Sequence, residues 1–508
     1  MKKTLFIKNA LILTVSSLIL RFAGIIFKVW LASRIGSEGI GLYQLIFSVY
    51  VLASTFATAG ISTAVTRLAA EELAMGTAKG TFRILRRAIQ LTLLIAVISV
   101  AILFLFSDFI ALRILGDSRA AEALKILPVS LPFMGISSCI RGYFIARRKV
   151  TPNAATQIFE QAARIGLILL LINRFAGKGL AACCTAVILG DVAAEALSGI
   201  VLFIVLLFDR RKISALSGRK RPPYGIIRRI LHISMPITSG RYLNTLLRTA
   251  ENILVPKNLA KFPLGGEKAL SQFGMIKGMA LPVLFFPSAI LNSVSTLMIP
   301  EMSEAAAKNQ TLLVKNATRN ILKLTAVISY IFAAIFFVAG DRVGMLIYKE
   351  EQVGFLLRAL SPIVPLMYID SISDGILKGL DQQVFSFRTA ISDSVIRIIL
   401  ILLLLPFTGL NGFIGIMYFS NFLTCFMNVG RLIKVTGAFL KPVNEIIIPL
   451  LSSVCVTLFA DTLLRMIPSI GSLVYIILLC AVSIIAYVLL LVLFGIVKPF
   501  EIWSVKKI

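Results

Sequence analysis

An apolar stretch near the middle of the sequence, LLRTAENILVPKN (246–258), carries an arginine, a carboxylate and an amide: Arg248, Glu251 and Asn252. A charge at the centre of a membrane-spanning helix costs roughly 2.5–3.5 kcal/mol, so such residues must pair with each other or face a wet site. Arginine suits phosphate there, because its planar guanidinium binds two oxygens at once. Asn252 fits either a helix contact or an ion ligand.

Other ionisable residues lie at predicted membrane depth. The helices that begin each half of the chain carry six ionisable residues, five basic and one acidic: Arg21, Lys28, Arg241, Arg248, Lys277 and Glu251. This imbalance predicts a substrate-binding cavity for an anionic head group, lined by the five basic side chains. Glu251 and Asn252 would then serve gating or ion coupling, with Glu251 holding Arg248 while the site is empty. The alternative is helix-to-helix pairing of these basic residues with other acids.

Several opposite charges stand three or four residues apart and so share a helix face: Glu160/Arg164, Arg248/Glu251, Asp374/Lys378 and Asp393/Arg397. We interpret Glu160/Arg164 and Asp393/Arg397 as structural ion pairs.

Three basic residues near predicted cytoplasmic helix ends, Arg67, Arg141 and Lys378, are interpreted as snorkelling to the interface. Asp191 and Glu195 are like charges on one face, so one of them should be protonated or partnered by another helix.

The composition demands a membrane around these residues. The chain has 508 residues, 58% of them hydrophobic, with a mean hydropathy of +0.92. With about 20 apolar residues per span, we predict fourteen transmembrane helices. If the N-terminus is cytoplasmic, 29 of the 52 Lys and Arg residues fall in inside loops or termini and 13 in outside loops. The net charge of +28 is therefore a topology signal rather than a sign of nucleic-acid binding.

The sequence also repeats itself. Pro128 precedes Gly142 by the same spacing that separates Pro365 from Gly379, 237 residues later. We predict an all-α polytopic protein of two six-helix bundles in parallel repeat plus two C-terminal helices. The predicted parts are an N-terminal bundle (1–208), a basic cytoplasmic linker (209–223), a second bundle (224–437) and helices 13 and 14 with a short cytoplasmic tail (438–508).

Enzyme chemistry has no visible motif in this sequence. It contains no nucleotide-binding loop, nucleophile elbow or metal-spaced His/Cys cluster, so we predict no catalytic residue, no metal and no cofactor. The only histidine, His232, follows two arginines near a predicted helix end. Transport would run on a Na⁺ or H⁺ gradient, the membrane potential or the gradient of the substrate.

Three long segments carry a family resemblance: SSLILRFAGIIFKVWLASRIGSEGIGLYQL (16–45), ISMPITSGRYLNTLLRTAENILVP (233–256) and GMIKGMALPVLFFPSAILNSVSTLMIPEMSEA (274–305). Through them the chain resembles the multidrug/oligosaccharidyl-lipid/polysaccharide exporter superfamily, and within it the stage V sporulation protein B group of polysaccharide flippases. Arg21 matches the first cavity arginine of the related lipid II flippases, and Lys277 stands where their helix 8 arginine would be. Their helix 2 arginines are missing, with Ala53, Ser54 and Thr55 in that region.

The resemblance implies alternating-access flipping of an undecaprenyl-diphosphate-linked saccharide, a peptidoglycan or other envelope or spore precursor, from the inner to the outer leaflet. It places the chain in the bacterial cell membrane, where we expect both termini to be cytoplasmic. The expected partners are the anionic lipid-linked substrate, the bilayer and envelope-synthesis proteins, with the chain itself a monomer. Two alternatives stay open: a cation-coupled multidrug exporter of the same superfamily, and a non-transporting membrane scaffold of envelope synthesis.

Overall fold

The structure is a computed structural model. It describes residues 2–496 except 59, 76–77, 176, 178, 215–224, 263–265, 290, 292–301 and 468–470. Most of the predicted basic linker and the predicted cytoplasmic tail therefore lie outside the described residues. The chain divides into two compact units, residues 1–260 with 266–274 and residues 261–265 with 275–508.

The first unit is built from helices. They are α1 (Lys2–Thr58), α2 (Ile61–Ala74), α3 (Ala78–Leu105), α4 (Ser107–Phe109), α5 (Ala121–Ile126), α6 (Leu131–Ala146), α7 (Thr151–Phe175), α8 (Leu180–Ser214), α9 (Ile226–Leu259) and α10 (Gly266–Gly274). A π-helical turn (Ile110–Leu115) and 3₁₀ turns (Ser118–Ala120, Leu127–Ser130) connect α4, α5 and α6.

A glycine divides α1 into two arms. Gly36 has φ 68° and ψ 178°, a conformation that favours glycine because a side chain would be strained there. The first arm contains the predicted helix 9–33. The second contains most of the predicted helix 41–70, which is interrupted before α2, where Gly60 also has a positive φ of 77°.

The second unit is also built from helices. They are α11 (Leu281–Phe285), α12 (Thr311–Tyr348), α13 (Glu351–Leu360), α14 (Val364–Gly379), α15 (Gln383–Thr436), α16 (Ile448–Arg465) and α17 (Ser472–Leu493). Gly409, with φ 56° and ψ −137°, bends α15 as Gly36 bends α1. The two predicted C-terminal helices, α16 and α17, pack on α12 through a core that includes Ile331, Val456 and Tyr487.

The predicted repeat has a counterpart in local structure. Pro128 lies in the 3₁₀ turn before α6, and Pro365 is the second residue of α14, which directly follows a 3₁₀ turn (Ser361–Ile363). In the first unit Thr66 donates a hydrogen bond to the carbonyl oxygen of Gly142 at 3.0 Å. In the second, Ser303 donates to the carbonyl of Gly379 at 2.6 Å, and both partners are shifted by the same 237 residues.

The all-α membrane architecture is confirmed, with about fourteen spans. Ten stretches of the described residues are long and apolar enough to cross a bilayer. Two of them are bent. One has 60 residues (Val15–Ala74) and runs from within α1 to the end of α2, and the other has 54 residues (Gln383–Thr436) and is α15. At 1.5 Å per residue each is more than twice the length that crosses a hydrocarbon core of about 30 Å, so each supplies two crossings. The other two predicted spans are α9, which is more polar, and the predicted helix 268–299, which the structure describes only in part.

The compact units differ from the predicted bundles at α9. The repeat assigns this helix to the second bundle, whereas its described contacts lie in the first unit. Thr249 of α9 donates to the carbonyl of Ser48 at 3.1 Å, and the hydroxyls of Thr245 and Thr55 are 3.4 Å apart. Gly60 lies so close to α9 that a Cβ on it would come within 2.5 Å of a carbonyl oxygen there.

Candidate functional site

The first arm of α1 carries two unpaired basic residues. Arg21 and Lys28 are seven residues apart, so they lie on one helix face, and both side chains are exposed. Neither forms a hydrogen bond or ion pair within the part of the chain that the structure describes. Their separation along the helix axis is about 10 Å.

The same spacing recurs on α9. Arg241 and Arg248 are also seven residues apart and exposed, and no described residue forms an ion pair with either of them. Thr245 and Asn252 alternate with these two arginines along the same side of α9, and their side chains form hydrogen bonds with the second arm of α1. The two arginines therefore lie beside the contact between α9 and α1.

Arg248 forms no ion pair with Glu251 in this structure, and the gating role of Glu251 stays a prediction. The Glu251 side chain is only 3% exposed and interacts with another group. Arg248 is exposed and forms no hydrogen bond or ion pair with its side chain among the described residues. The i,i+3 spacing brings the two Cα atoms onto neighbouring faces, but it does not decide which way each side chain turns. Asn252 is used as a helix contact, because its Nδ2 donates to the hydroxyl of Ser48 at 2.9 Å.

Lys277 belongs to the second unit. It lies in a π-helical turn, Met275–Ala280, and is not free of partners. Of the five basic residues predicted for the cavity, the first unit therefore carries four: Arg21, Lys28, Arg241 and Arg248.

Electrostatics limit what these four residues can face. Lipid is unfavourable for an unpaired cation in the middle of a spanning helix, at a cost of roughly 2.5–3.5 kcal/mol for each such residue. Arg241 and Arg248 stand about 23 and 33 Å from the start of the roughly 50 Å long α9, too deep for their side chains to reach its N-terminal end. Contact with water or with an anion would avoid this cost.

The predicted pair Glu160/Arg164 is present and belongs to a larger network. Glu160 Oε1 is 3.0 Å from Arg164, and Glu160 Oε2 is 2.8 Å from Arg141 of α6. The interpretation of Arg141 as a snorkelling residue is thus wrong: its guanidinium turns into the helix bundle because a buried carboxylate is within reach. Arg164 also lies 3.0 Å from Asp191 of α8, so Asp191 is partnered by another helix as predicted.

The predicted pairs of the second unit are also present. Arg397 and Asp393 are 3.8 Å apart, and Asp393 also accepts a hydrogen bond from Ser420 at 2.5 Å. Lys378, predicted to snorkel, forms an ion pair with Asp374. Similarly, Arg67 in the first unit pairs with Glu71 at 3.4 Å but remains largely exposed, which agrees with an interfacial position.

Sequence reasoning missed the contacts that join separate helices. Tyr43 of α1 donates to Asp191 at 3.0 Å, and Asn428 of α15 donates to Asp370 of α14 at 2.8 Å. Helical periodicity relates residues within a helix, so it holds no signal for these pairs. One local signal was available: Gly190, next to Asp191, lets α8 approach Ile168 of α7 so closely that a Cβ there would overlap it.

Known proteins resemble this chain along most of its length. A family model described as "Polysaccharide biosynthesis protein" matches residues 6–306. Stage V sporulation protein B of Bacillus subtilis (strain 168) is 26% identical over 420 residues, covering 81% of this chain and 80% of that protein. Lipid II flippase MurJ of the same organism is 21% identical over 454 residues, covering 84% and 82%.

A solved structure shares the fold. The inward closed conformation of lipid II flippase MurJ superposes with a TM-score of 0.70 and 14% identity, covering 94% of this chain and 98% of that one. Sequence and fold thus agree with the resemblance stated above. This multi-pass membrane protein belongs to the polysaccharide biosynthesis protein family.

Proposed function

We propose that this protein is a transporter, not an enzyme, and that it flips an undecaprenyl-diphosphate-linked saccharide from the inner to the outer leaflet of the bacterial cell membrane. One relative is named a lipid II flippase, and this name supports the general class of transporters that move lipid-linked precursors. The saccharide itself, a precursor of peptidoglycan or of another envelope or spore polymer, is part of the proposal.

One observation carries the proposed substrate class. The first unit holds Arg21, Lys28, Arg241 and Arg248 at mid-helix, exposed and without a carboxylate among the described residues. A diphosphate is strongly hydrated and enters a low-dielectric region only against fixed positive groups that replace its water. The saccharide and the lipid tail need no such groups, so the diphosphate is the part that these residues would recognise.

The same charge disfavours the rival transporter. A cation-coupled multidrug exporter takes up organic cations, which four unpaired basic residues would repel. A membrane scaffold would have no use for charges that cost several kcal/mol to place in a bilayer. The basic residues therefore favour an anionic cargo over both alternatives.

The proposal is tested by reconstituting the purified protein in liposomes and following lipid II and a teichoic-type lipid-linked precursor side by side. We expect Arg21→Ala and Arg248→Ala each to reduce flipping by about tenfold to a hundredfold, because each removes a charge-assisted hydrogen bond worth about 1.5–3 kcal/mol. Arg67→Ala is the matched control: it removes a basic residue that already has a carboxylate partner at the surface.

Two results would overturn the proposal. If alanine at Arg21, Arg241 and Arg248 together leaves flipping at the wild-type rate, the basic residues are not a substrate site. If the protein moves an organic cation and neither lipid-linked precursor, the multidrug alternative replaces it. Lys277→Ala, in the second unit, tests separately whether that residue contributes.

A further inference from the structure

A cluster of aromatic and charged side chains joins three helices at one end of the second unit. We call it the Tyr475 cluster and define it by four residues: Arg342 of α12, Asp461 and Arg465 of α16, and Tyr475 of α17. Arg342 lies in the last two turns of α12, and Tyr475 lies in the first turn of α17. The cluster therefore lies at the end of the unit where α16 and α17 join.

Tyr475 and Asp461 are the fixed part of the Tyr475 cluster. Both are buried, at 2% and 7% exposed, and the Tyr475 hydroxyl donates a hydrogen bond to the Asp461 carboxylate. Arg465 Nε lies 2.9 Å from the same carboxylate. The orientation of the Tyr475 ring is thus held by a buried hydrogen bond, and the Asp461 carboxylate is already engaged by an arginine.

Arg342 lies on the face of that ring. Its guanidinium carbon is 3.6 Å from the ring centroid, well within the range of a cation–π contact. A guanidinium carries five N–H donors, and this contact fixes its plane without occupying them. The side chain is partly exposed and forms no hydrogen bond or ion pair within the part of the chain that the structure describes.

The acids around Arg342 have other partners. Asp461 is engaged by Arg465, and Asp341, the sequence neighbour of Arg342, lies 2.7 Å from Arg358 of α13. Within the Tyr475 cluster two guanidinium groups accompany one carboxylate, so one positive charge is left over. The cluster thus presents an oriented arginine with unused N–H groups and an excess charge of about +1.

The surroundings of the Tyr475 cluster are those of a lipid-facing helix end. Exposed apolar side chains flank the junction of α16 and α17: Leu463, Met466, Ile467, Leu473 and Val474. With 38 residues, α12 is about 57 Å long and extends beyond a hydrocarbon core of about 30 Å. Arg342 follows the predicted span 318–339, which places it at head-group depth, and the predicted topology puts this end in the outer leaflet.

We propose that the Tyr475 cluster binds the phosphate of an anionic phospholipid of the outer leaflet, and that Arg342 makes the contact. A guanidinium fork binds two phosphate oxygens at once, and the exposed apolar side chains suit the acyl chains. An excess charge of about +1 matches a phosphodiester, which carries one negative charge, better than a diphosphate, which carries more. Tyr475 and Asp461 are positioning residues, and the proposal does not depend on the transport function.

A tryptophan placed beside the cluster reports on the lipid bound there. The two native tryptophans, Trp30 and Trp503, are replaced by phenylalanine, and the exposed Leu473 by tryptophan. The protein is reconstituted in phosphatidylcholine vesicles, and fluorescence quenching by brominated phosphatidylglycerol is compared with quenching by brominated phosphatidylcholine. We expect a several-fold preference for phosphatidylglycerol, since its phosphate carries a net charge that is not balanced by a choline.

Three variants in this background test the role of Arg342. Arg342→Gln should abolish the preference, and Arg342→Lys should keep part of it, because it retains the charge but loses the fork. Lys349→Gln is the matched control. It removes one positive charge just after the same end of α12 but no stacked guanidinium, so it should keep most of the preference.

The proposal is overturned if wild type shows no preference, or if Arg342→Gln keeps it. It is also overturned if Lys349→Gln lowers the preference as much as Arg342→Gln, because diffuse surface charge would then be the cause. Two unlabelled competitors identify the source of the phosphate. If undecaprenyl diphosphate displaces brominated phosphatidylglycerol at a lower mole fraction than unlabelled phosphatidylglycerol does, or if inorganic phosphate displaces it, the site is not a phospholipid site.

Discussion

Glu160 has two arginine partners, and this arrangement predicts which second mutation rescues its loss. Glu160→Met removes the carboxylate with little change in side-chain length. Arg164 keeps Asp191 as a partner, at 3.0 Å, but Arg141 loses the only carboxylate it contacts among the described residues. The unpaired group in this variant is therefore the guanidinium of Arg141, although Arg164 is the nearer residue in sequence.

The expected magnitudes follow from that difference. Leaving one member of a buried ion pair unpaired costs about 3–5 kcal/mol, whereas replacing both with apolar groups of similar size is often neutral. Glu160→Met should thus lose about 3–5 kcal/mol of unfolding free energy, and Glu160→Met with Arg141→Met should recover most of it. Glu160→Met with Arg164→Met should recover nothing, because it leaves both Arg141 and Asp191 without their ionic partners.

The assay is SDS titration of the unfolding free energy in detergent, with protein abundance in membranes as a second readout. The control is Arg67→Met with Glu71→Met, an exposed pair whose removal should change stability by less than about 1 kcal/mol. The reasoning is refuted if the 160/164 double variant is rescued while the 160/141 double variant stays as unstable as Glu160→Met. Strictly additive losses would refute it as well.

Three further predictions concern the substrate site, the helix packing and the topology. Arg248→Lys should retain partial flipping, because it keeps the charge but loses the two-pronged guanidinium, whereas Arg248→Ala should lower the flipping rate about tenfold to a hundredfold. Equal flipping rates for the two variants in liposomes would contradict phosphate recognition. Gly190→Ala should cost about 1–3 kcal/mol, because its Cβ would overlap the facing α7, whereas Gly166→Ala, with nothing within 4 Å of the added carbon, should not destabilise the protein in the same SDS titration. In a cysteine-free background, Ser217→Cys should stay protected from impermeant thiol reagents in intact cells, because the linker is predicted to be cytoplasmic. Labelling of this cysteine from outside the cell would contradict the predicted topology.

Much of the fold was predictable because its main signal is local. Runs of about 20 apolar residues mark the spans without any knowledge of their neighbours. The repeat was visible because both halves place proline and glycine at the same spacing, where a 3₁₀ turn and a hydroxyl-to-carbonyl contact need them. Gly36 and Gly409 could not be recognised as bends, because nothing in the sequence separates a glycine with positive φ from a helical one.

The candidate site was less predictable because spacing within a helix does not decide where a side chain points. Four residues apart, Glu160 and Arg164 do meet, at 3.0 Å. Three residues apart, Arg248 and Glu251 do not, because Glu251 is buried while Arg248 is exposed. The contact of Arg141 was unpredictable for a related reason. Its partner is 19 residues away on the next helix, beyond the reach of any periodicity argument.

The ion pairs among α6, α7 and α8 also bear on why the basic residues of α1 and α9 stay unpaired. Pairing with the membrane acids was the alternative to a substrate cavity. In the first unit Glu160 is held by Arg141 and Arg164, and Asp191 is held by Arg164. Because these two acids already have partners, neither of them neutralises Arg21, Lys28, Arg241 or Arg248. Under the proposed function, a transported anion balances these basic residues without permanently filling the site.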